Sequence, residues 1–75
     1  MFDLKELLTK FKEAFAKNWS DTNTRIRNLR HVKDTVDNEE AIKHLDTMVE
    51  NEKKNKKSLE EVIDKIDNIL GKLDQ

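Results

Sequence analysis

The chain has 75 residues, 41% of them charged and 35% apolar, and a net charge of −1. Because Cys is absent, disulfides and thiolate metal sites are excluded, although a domain this short usually needs such a device or a second subunit for stability. The lack of Pro, the single Gly and the near-zero net charge argue against intrinsic disorder. They predict an all-α fold with one helical domain over residues 1–75.

The first helix is predicted over about residues 3–18. Asp3 can cap the backbone at its start, and Glu6 three residues later completes a capping box. Apolar residues follow at the spacing of one helix face. They are Leu4, Leu7, Leu8, Phe11, Ala14 and Phe15.

A break or kink is predicted within residues 18–24, which read N-W-S-D-T-N-T. These residue types have poor helix propensity, and Ser20 and Asp21 are good helix caps. A second helix over about 21–36 then carries an apolar side. Its members are Ile26, Leu29, Val32 and Val36. The first arm of the fold is therefore predicted to be broken in two.

A third helix is predicted over about 38–73. Core-type positions recur in alternating steps of three and four without interruption, even across the polar stretch N-E-K-K-N-K-K-S at 51–58. A turn at 51–58 is the alternative, since residues 38–51 and 58–73 could form their own hairpin, related to the first by a swap between subunits. The unbroken spacing favours one continuous helix.

Folding the chain back near residue 37 predicts a helical hairpin. Residues whose numbers sum to about 74 then face one another, and the first arm keeps the same spacing as the second. The predicted core positions of the first arm are Leu4, Leu8, Phe11, Phe15, Asn18, Thr22, Arg25, Leu29, Val32 and Val36. Leu8 meets Ile66 in this register, and polar Thr22 meets Glu52. The polar 51–58 stretch therefore faces the equally polar 18–24 region, and apolar residues meet at both ends.

Near the termini the predicted apolar stripe is too broad for a contact between two helices. Burying it calls for a second hairpin, so a homodimeric helical bundle is predicted, as a coiled coil or four-helix bundle. The candidate dimer interface consists of Leu7, Phe11, Phe15, Leu59, Val62, Ile66 and Ile69.

All three Arg residues lie between residues 25 and 33. Arginine binds the paired oxygens of phosphates and carboxylates, so this face is a candidate partner-binding site. The alternative is an ordinary solvated face, as for the second basic run within 53–57. Trp19 is a further candidate, because it could anchor a partner or cover the space between helices. The candidate partner-binding residues are Trp19, Arg25, Arg27, Arg30 and Lys33.

Metal, cofactor and catalytic sites are not predicted. His31 and His44 would approach each other in the hairpin, but two His are too few for a structural zinc site. Neither a Gly-rich phosphate loop nor a nucleophile motif is present. The charged residues among the first six and the lack of a long apolar run predict a cytoplasmic protein without a membrane segment.

These features predict a small non-enzymatic protein-interaction module, a homodimer that binds and modulates or inhibits a larger protein. Lys outnumbers Arg twelve to three and Asn occurs seven times, which hints at an AT-rich source such as a phage or mobile element. One alternative is a nucleic-acid-associated regulator that uses the basic face from Arg25 to Lys33. Another is a structural coiled-coil scaffold element.

Overall fold

The computed structural model describes residues 3–74 and forms a hairpin of two long helices. Helix α1 spans Leu4–Thr35 and helix α2 spans Glu39–Leu73, with Val36–Asn38 between them. No strand occurs in the described residues, so the predicted all-α hairpin is confirmed. The molecule measures 56 × 17 × 14 Å. Its radius of gyration is 17.1 Å, whereas a compact globular chain of this length would have about 11 Å.

Both helices begin at the residues that the sequence predicts. The Asp3 carboxylate accepts a hydrogen bond of 3.2 Å from the backbone N–H of Glu6. The Asn38 side-chain oxygen accepts one of 3.1 Å from the N–H of Ala41. Such caps satisfy backbone donors that the first helical turn leaves unpaired.

Helix α2 is continuous through residues 51–58, as predicted, and the alternative turn is therefore absent. Lys and Glu are good helix formers, so this polar stretch carries no intrinsic helix breaker. Glu52 and Lys56 are partly buried against α1, which explains why the seven-residue spacing survives there.

The predicted break in the first arm is wrong, because α1 runs without interruption through residues 18–24. The hydroxyl of Thr22 donates to the carbonyl of Asn18 at 2.8 Å, and Thr22 is fully buried. Thr24 donates in the same way to Ser20 at 3.3 Å. Tertiary burial overrides the poor helix propensity of this segment, and the predicted helices 3–18 and 21–36 are one helix.

The core of the hairpin is thin. Among residues 3–74, Ile26, Val49, Leu59 and Ile66 are the buried apolar side chains, at 6–7% exposure. On α2, the predicted core positions are buried or partly buried, except Leu73 near its end. The observed α2 core positions are Ile42, Leu45, Val49, Glu52, Lys56, Leu59, Ile63, Ile66 and Leu70.

On α1, half of the predicted core positions are wrong. The shared half consists of Leu8, Phe15, Thr22, Leu29 and Val36. Of the other five predicted positions, Leu4 is exposed, and each of the remaining four is replaced by the residue that follows it in the chain. Lys12, Trp19, Ile26 and Lys33 face α2, whereas Phe11, Asn18, Arg25 and Val32 are exposed. Helix α1 is thus rotated so that Trp19 and Ile26 turn toward the partner helix.

The register between the helices also differs from the prediction. Residue numbers of side chains that are hydrogen-bonded or ion-paired across the hairpin sum to 77 or 79, as for Thr22 with Asn55 and Lys12 with Asp67. The cause is the connection, because Val36 and Asn38 have extended backbone angles. Extended backbone rises about 3.3 Å per residue, about twice as much as a helix. The first turn of α2 therefore begins beyond the end of α1.

Candidate functional site

One side of the hairpin is closed by polar contacts spaced seven residues apart, except at the buried Ile26, and is here called the ion-paired edge. Lys12 pairs with Asp67 at 2.5 Å, and Lys33 pairs with Asp46 at 2.6 Å. Lys5 pairs with Asp74 near the termini. The hydrogen bond from Lys5 to Asp74, followed by the attraction of their charges, raises the pKa of the Lys5 ammonium.

Trp19 occupies the same edge between two of these ion pairs. Its indole Nε1 donates to Glu60 Oε1 at 2.9 Å, and the ammonium of Lys56 lies 5.1 Å from the ring centroid. A cation at this distance is attracted by the aromatic face. The structure thus places Trp19 in a contact between the helices, partly buried, and there is no kink for it to cover.

A polar layer crosses the middle of the hairpin. Thr22 is 0% exposed, and its hydroxyl accepts hydrogen bonds from Arg25 Nη2 at 2.9 Å and from Asn55 Nδ2 at 3.4 Å. Arg25 also binds both carboxylate oxygens of Glu52, each at 3.2 Å. Two donors in a fixed fork make this pair directional. The layer satisfies Thr22 and fixes the register between the helices.

The opposite side of the hairpin leaves large apolar side chains exposed, and we call it the apolar face. Around the axis of α2, the side chains follow one another in the order Val62, Leu59, Ile63 and Glu60. The core positions Leu59 and Ile63 therefore separate this face from the ion-paired edge. Five large side chains of the face are between 44% and 49% exposed, and Val62 is partly buried. The face consists of Leu4, Phe11, Val32, Met48, Val62 and Ile69.

The candidate dimer residues divide into three groups by exposure. Phe11 and Ile69 lie exposed on the apolar face, and Leu7, Phe15 and Val62 are partly buried. Leu59 and Ile66 are buried between α1 and α2. These two hold the hairpin itself together.

The candidate partner-binding residues do not form one surface. Arg25 lies at the polar layer and faces a shallow cleft beside Val32 and Met48. Lys33 is held by Asp46 on the ion-paired edge, near which Trp19 also lies. Only Arg27 and Arg30 come together, on one side of a separate groove.

This groove, here called the cationic groove, has a volume of about 250 Å³. Its lining residues are Asn23, Ile26, Arg27, Arg30, Lys53 and Lys56. Sequence reasoning missed the contribution of Lys53 and Lys56, which it assigned to a solvated helix surface. The signal that could have found them was Ile26: placing it in the core, instead of Arg25, turns Arg27 and Arg30 toward α2.

The remaining features of the described chain point to no further site. Between residues 3 and 74 no group of three or more potential metal ligands occurs, and His31 and His44 are both exposed. His44 and Lys43 line an open cleft of about 750 Å³ at the connection, with Asp37, Asn38, Glu39 and Glu40. In the described part of the chain, neither helix is long and apolar enough to cross a membrane.

Comparison with protein-family models, with curated proteins and with solved structures found no match for this chain. The geometry described above is therefore the basis for any functional conclusion.

Proposed function

We propose that this protein is a small non-enzymatic protein-interaction module, a homodimeric helical bundle that binds a larger protein and modulates its activity. The observation that carries the proposal is the apolar face. Large apolar side chains lie exposed along one side of a hairpin whose own core is thin. Contiguous exposed apolar surface of this kind marks a protein–protein contact.

A second copy of the chain is the occupant that fits this face. Phe11 and Val62 lie toward the chain termini and Val32 and Met48 toward the connection, with Asn55 and other polar side chains of the middle layer between them. The pattern is apolar, polar, apolar along the hairpin. A twofold axis through the middle sets apolar against apolar and polar against polar, which is the self-complementarity that a symmetric dimer needs.

The size of the face also suits a dimer. The broad side of the hairpin measures 56 by 17 Å. Its projected area is on the order of 900 Å², and a specific interface buries about 800 Å² on each partner. Each half-exposed side chain that becomes buried contributes about 1 kcal/mol. Two hairpins packed in this way form a four-helix bundle, whose charged outer edges remain available to a larger protein.

Sedimentation equilibrium tests the dimer directly. At micromolar concentration we expect a species of twice the chain mass, and dissociation on dilution should lower the helical signal in circular dichroism, because each hairpin then exposes its apolar face. A monomer that stays fully helical over the whole concentration range would contradict the proposal.

The alternative of a nucleic-acid regulator receives less support from the structure. It relies on a common basic face from Arg25 to Lys33, but both of these residues are engaged by carboxylates of α2. Proteins that bind nucleic acids gain affinity by displacing counterions with many Lys and Arg side chains. Arg27 and Arg30 remain for such contacts.

A further inference from the structure

The cationic groove differs from the rest of the interhelical surface in its charge balance. Elsewhere the cations of α1 that approach α2 meet a carboxylate: Lys5, Lys12, Arg25 and Lys33 each do so. The groove brings together four cationic side chains, and none of its lining residues is acidic.

Within residues 3–74, Arg27 and Arg30 take part in no ion pair. Lys53 has only a pair of 3.5 Å with Glu50 on its own helix, and Lys56 lies over the ring of Trp19. Like charges that line one groove of about 250 Å³ repel one another, and an anion placed between them relieves that repulsion. The two guanidinium groups can each offer two parallel donors to such an anion.

The footprint of the groove is short. Along α2, Lys53 is flanked seven residues away on either side by the acids Asp46 and Glu60 of the ion-paired edge. Seven residues of helix span about 10 Å. An extended polyanion such as a nucleic acid would pass over both acids, whereas a few carboxylates within one or two helical turns would not.

Ile26 lines the groove but is only 7% exposed, so the surface that the groove offers to a ligand is polar and cationic. We infer that the cationic groove binds a short acidic segment of a protein partner, in which neighbouring Asp or Glu side chains pair with the four cations. This inference rests on the proposed interaction function, because it names the chemistry of the partner. The groove lies on the side away from the apolar face, so a dimer presents two grooves, one per chain.

Fluorescence anisotropy with defined probes tests the inference. The probes are a labelled peptide with neighbouring Glu residues, the same peptide with Gln in place of Glu, and single- and double-stranded DNA oligonucleotides. We expect the Glu peptide to bind with one peptide per chain and to weaken with added salt. Equal binding of the Gln peptide, or tighter binding of either DNA, would overturn the inference.

Two double variants localise the binding. Arg27→Gln with Arg30→Gln should weaken binding of the Glu peptide by about tenfold or more, since hydrogen bonds between charged groups are the strong ones. Lys17→Gln with Lys54→Gln removes the same net charge from exposed positions outside the groove and should weaken it less than about threefold. Equal losses of affinity for the Glu peptide in the two variants would show that net charge alone attracts the peptide, and would contradict binding at the groove.

The same samples separate this inference from the dimer proposal. Neither double variant should change the mass measured by sedimentation, because none of the four residues belongs to the apolar face. A monomeric chain that still binds the Glu peptide through Arg27 and Arg30 would leave the groove standing and refute the dimer. A dimer that does not bind the peptide would support the dimer proposal and refute the groove.

Discussion

The two sides of the hairpin differ in whether the side chains beside the interhelical boundary find partners within the same chain. On the ion-paired edge, side chains such as Lys12 and Trp19 find a charged or hydrogen-bonding partner on the other helix, except at the cationic groove. On the apolar face, Phe11, Met48 and Ile69 remain about half exposed. Outside the cationic groove the edge is satisfied within one chain, and the apolar face is not. The comparison indicates which surface the protein uses for itself and which surfaces it can offer to others.

The largest expected effect comes from placing a charge on the apolar face. Phe11→Glu loses the burial of the ring and brings a carboxylate into the dimer, which costs about 2 kcal/mol per chain. Because both chains of a twofold dimer carry the substitution, the loss occurs twice, and the dissociation constant should rise by about a thousandfold. Sedimentation equilibrium measures the change.

The matched control for Phe11→Glu lies two residues away. Thr9 is exposed and lies outside the apolar face, and Thr9→Glu adds the same negative charge without touching that face. We expect this control to dimerise as the parent chain does. Should Phe11→Glu dimerise as tightly as the control, the apolar face is not the contact.

A smaller loss is expected on the ion-paired edge at Trp19. Trp19→Ala removes a partly buried ring that contacts both Glu60 and Lys56, and we expect a fall of about 2 kcal/mol in the free energy of unfolding. Trp19→Phe keeps a ring but lacks the N–H that donates to Glu60, and should cost about 1 kcal/mol. Urea unfolding at one fixed protein concentration measures both.

The result at Trp19 separates an internal role from partner binding. If Trp19→Ala leaves the free energy of unfolding unchanged, the contact with Glu60 adds no stability and the side chain is free to serve a partner. We expect the opposite, because the indole is satisfied within the chain. The variant should still dimerise once folded, since Trp19 lies on the side away from Phe11 and Ile69.

The sequence was sufficient to predict α2 but only part of α1. On α2, apolar residues fill one series of positions on both sides of the polar stretch, so Leu59 and Ile66 are correctly placed in the core. On α1, two neighbouring series compete. One contains Phe11 and Val32, and the other contains Ile26 together with Trp19. Apolar spacing cannot choose between them, because each series contains both apolar and polar residues.

The charges of α2 decide between these two series. Lys12 with Asp67 and Lys33 with Asp46 are complementary pairs whose residue numbers both sum to 79, and they bring Ile26 into the core. The same shift exposes Phe11 and assembles the cationic groove. The candidate site could not be derived from α1 alone for this reason: its composition depends on how α1 is rotated against α2, a property of the pair.

The smallest expected effect concerns the ion pair of the ion-paired edge nearest the chain termini, between Lys5 and Asp74. The pKa of Lys5 is raised above its ordinary value of 10.5, chiefly by the hydrogen bond to Asp74. A raised pKa in the folded state means that the pair adds stability below pH 10.5 and loses it as the pH rises through the folded value.

Asp74→Asn should return the pKa of Lys5 toward 10.5, measured by NMR titration of its Cε. The difference in unfolding free energy between the parent and this variant should be present at neutral pH and vanish in strong alkali. A difference that persists there would show that the Asp74 side chain acts on the end of α2 itself, through its charge at the helix C-terminus, instead of through the charge of Lys5.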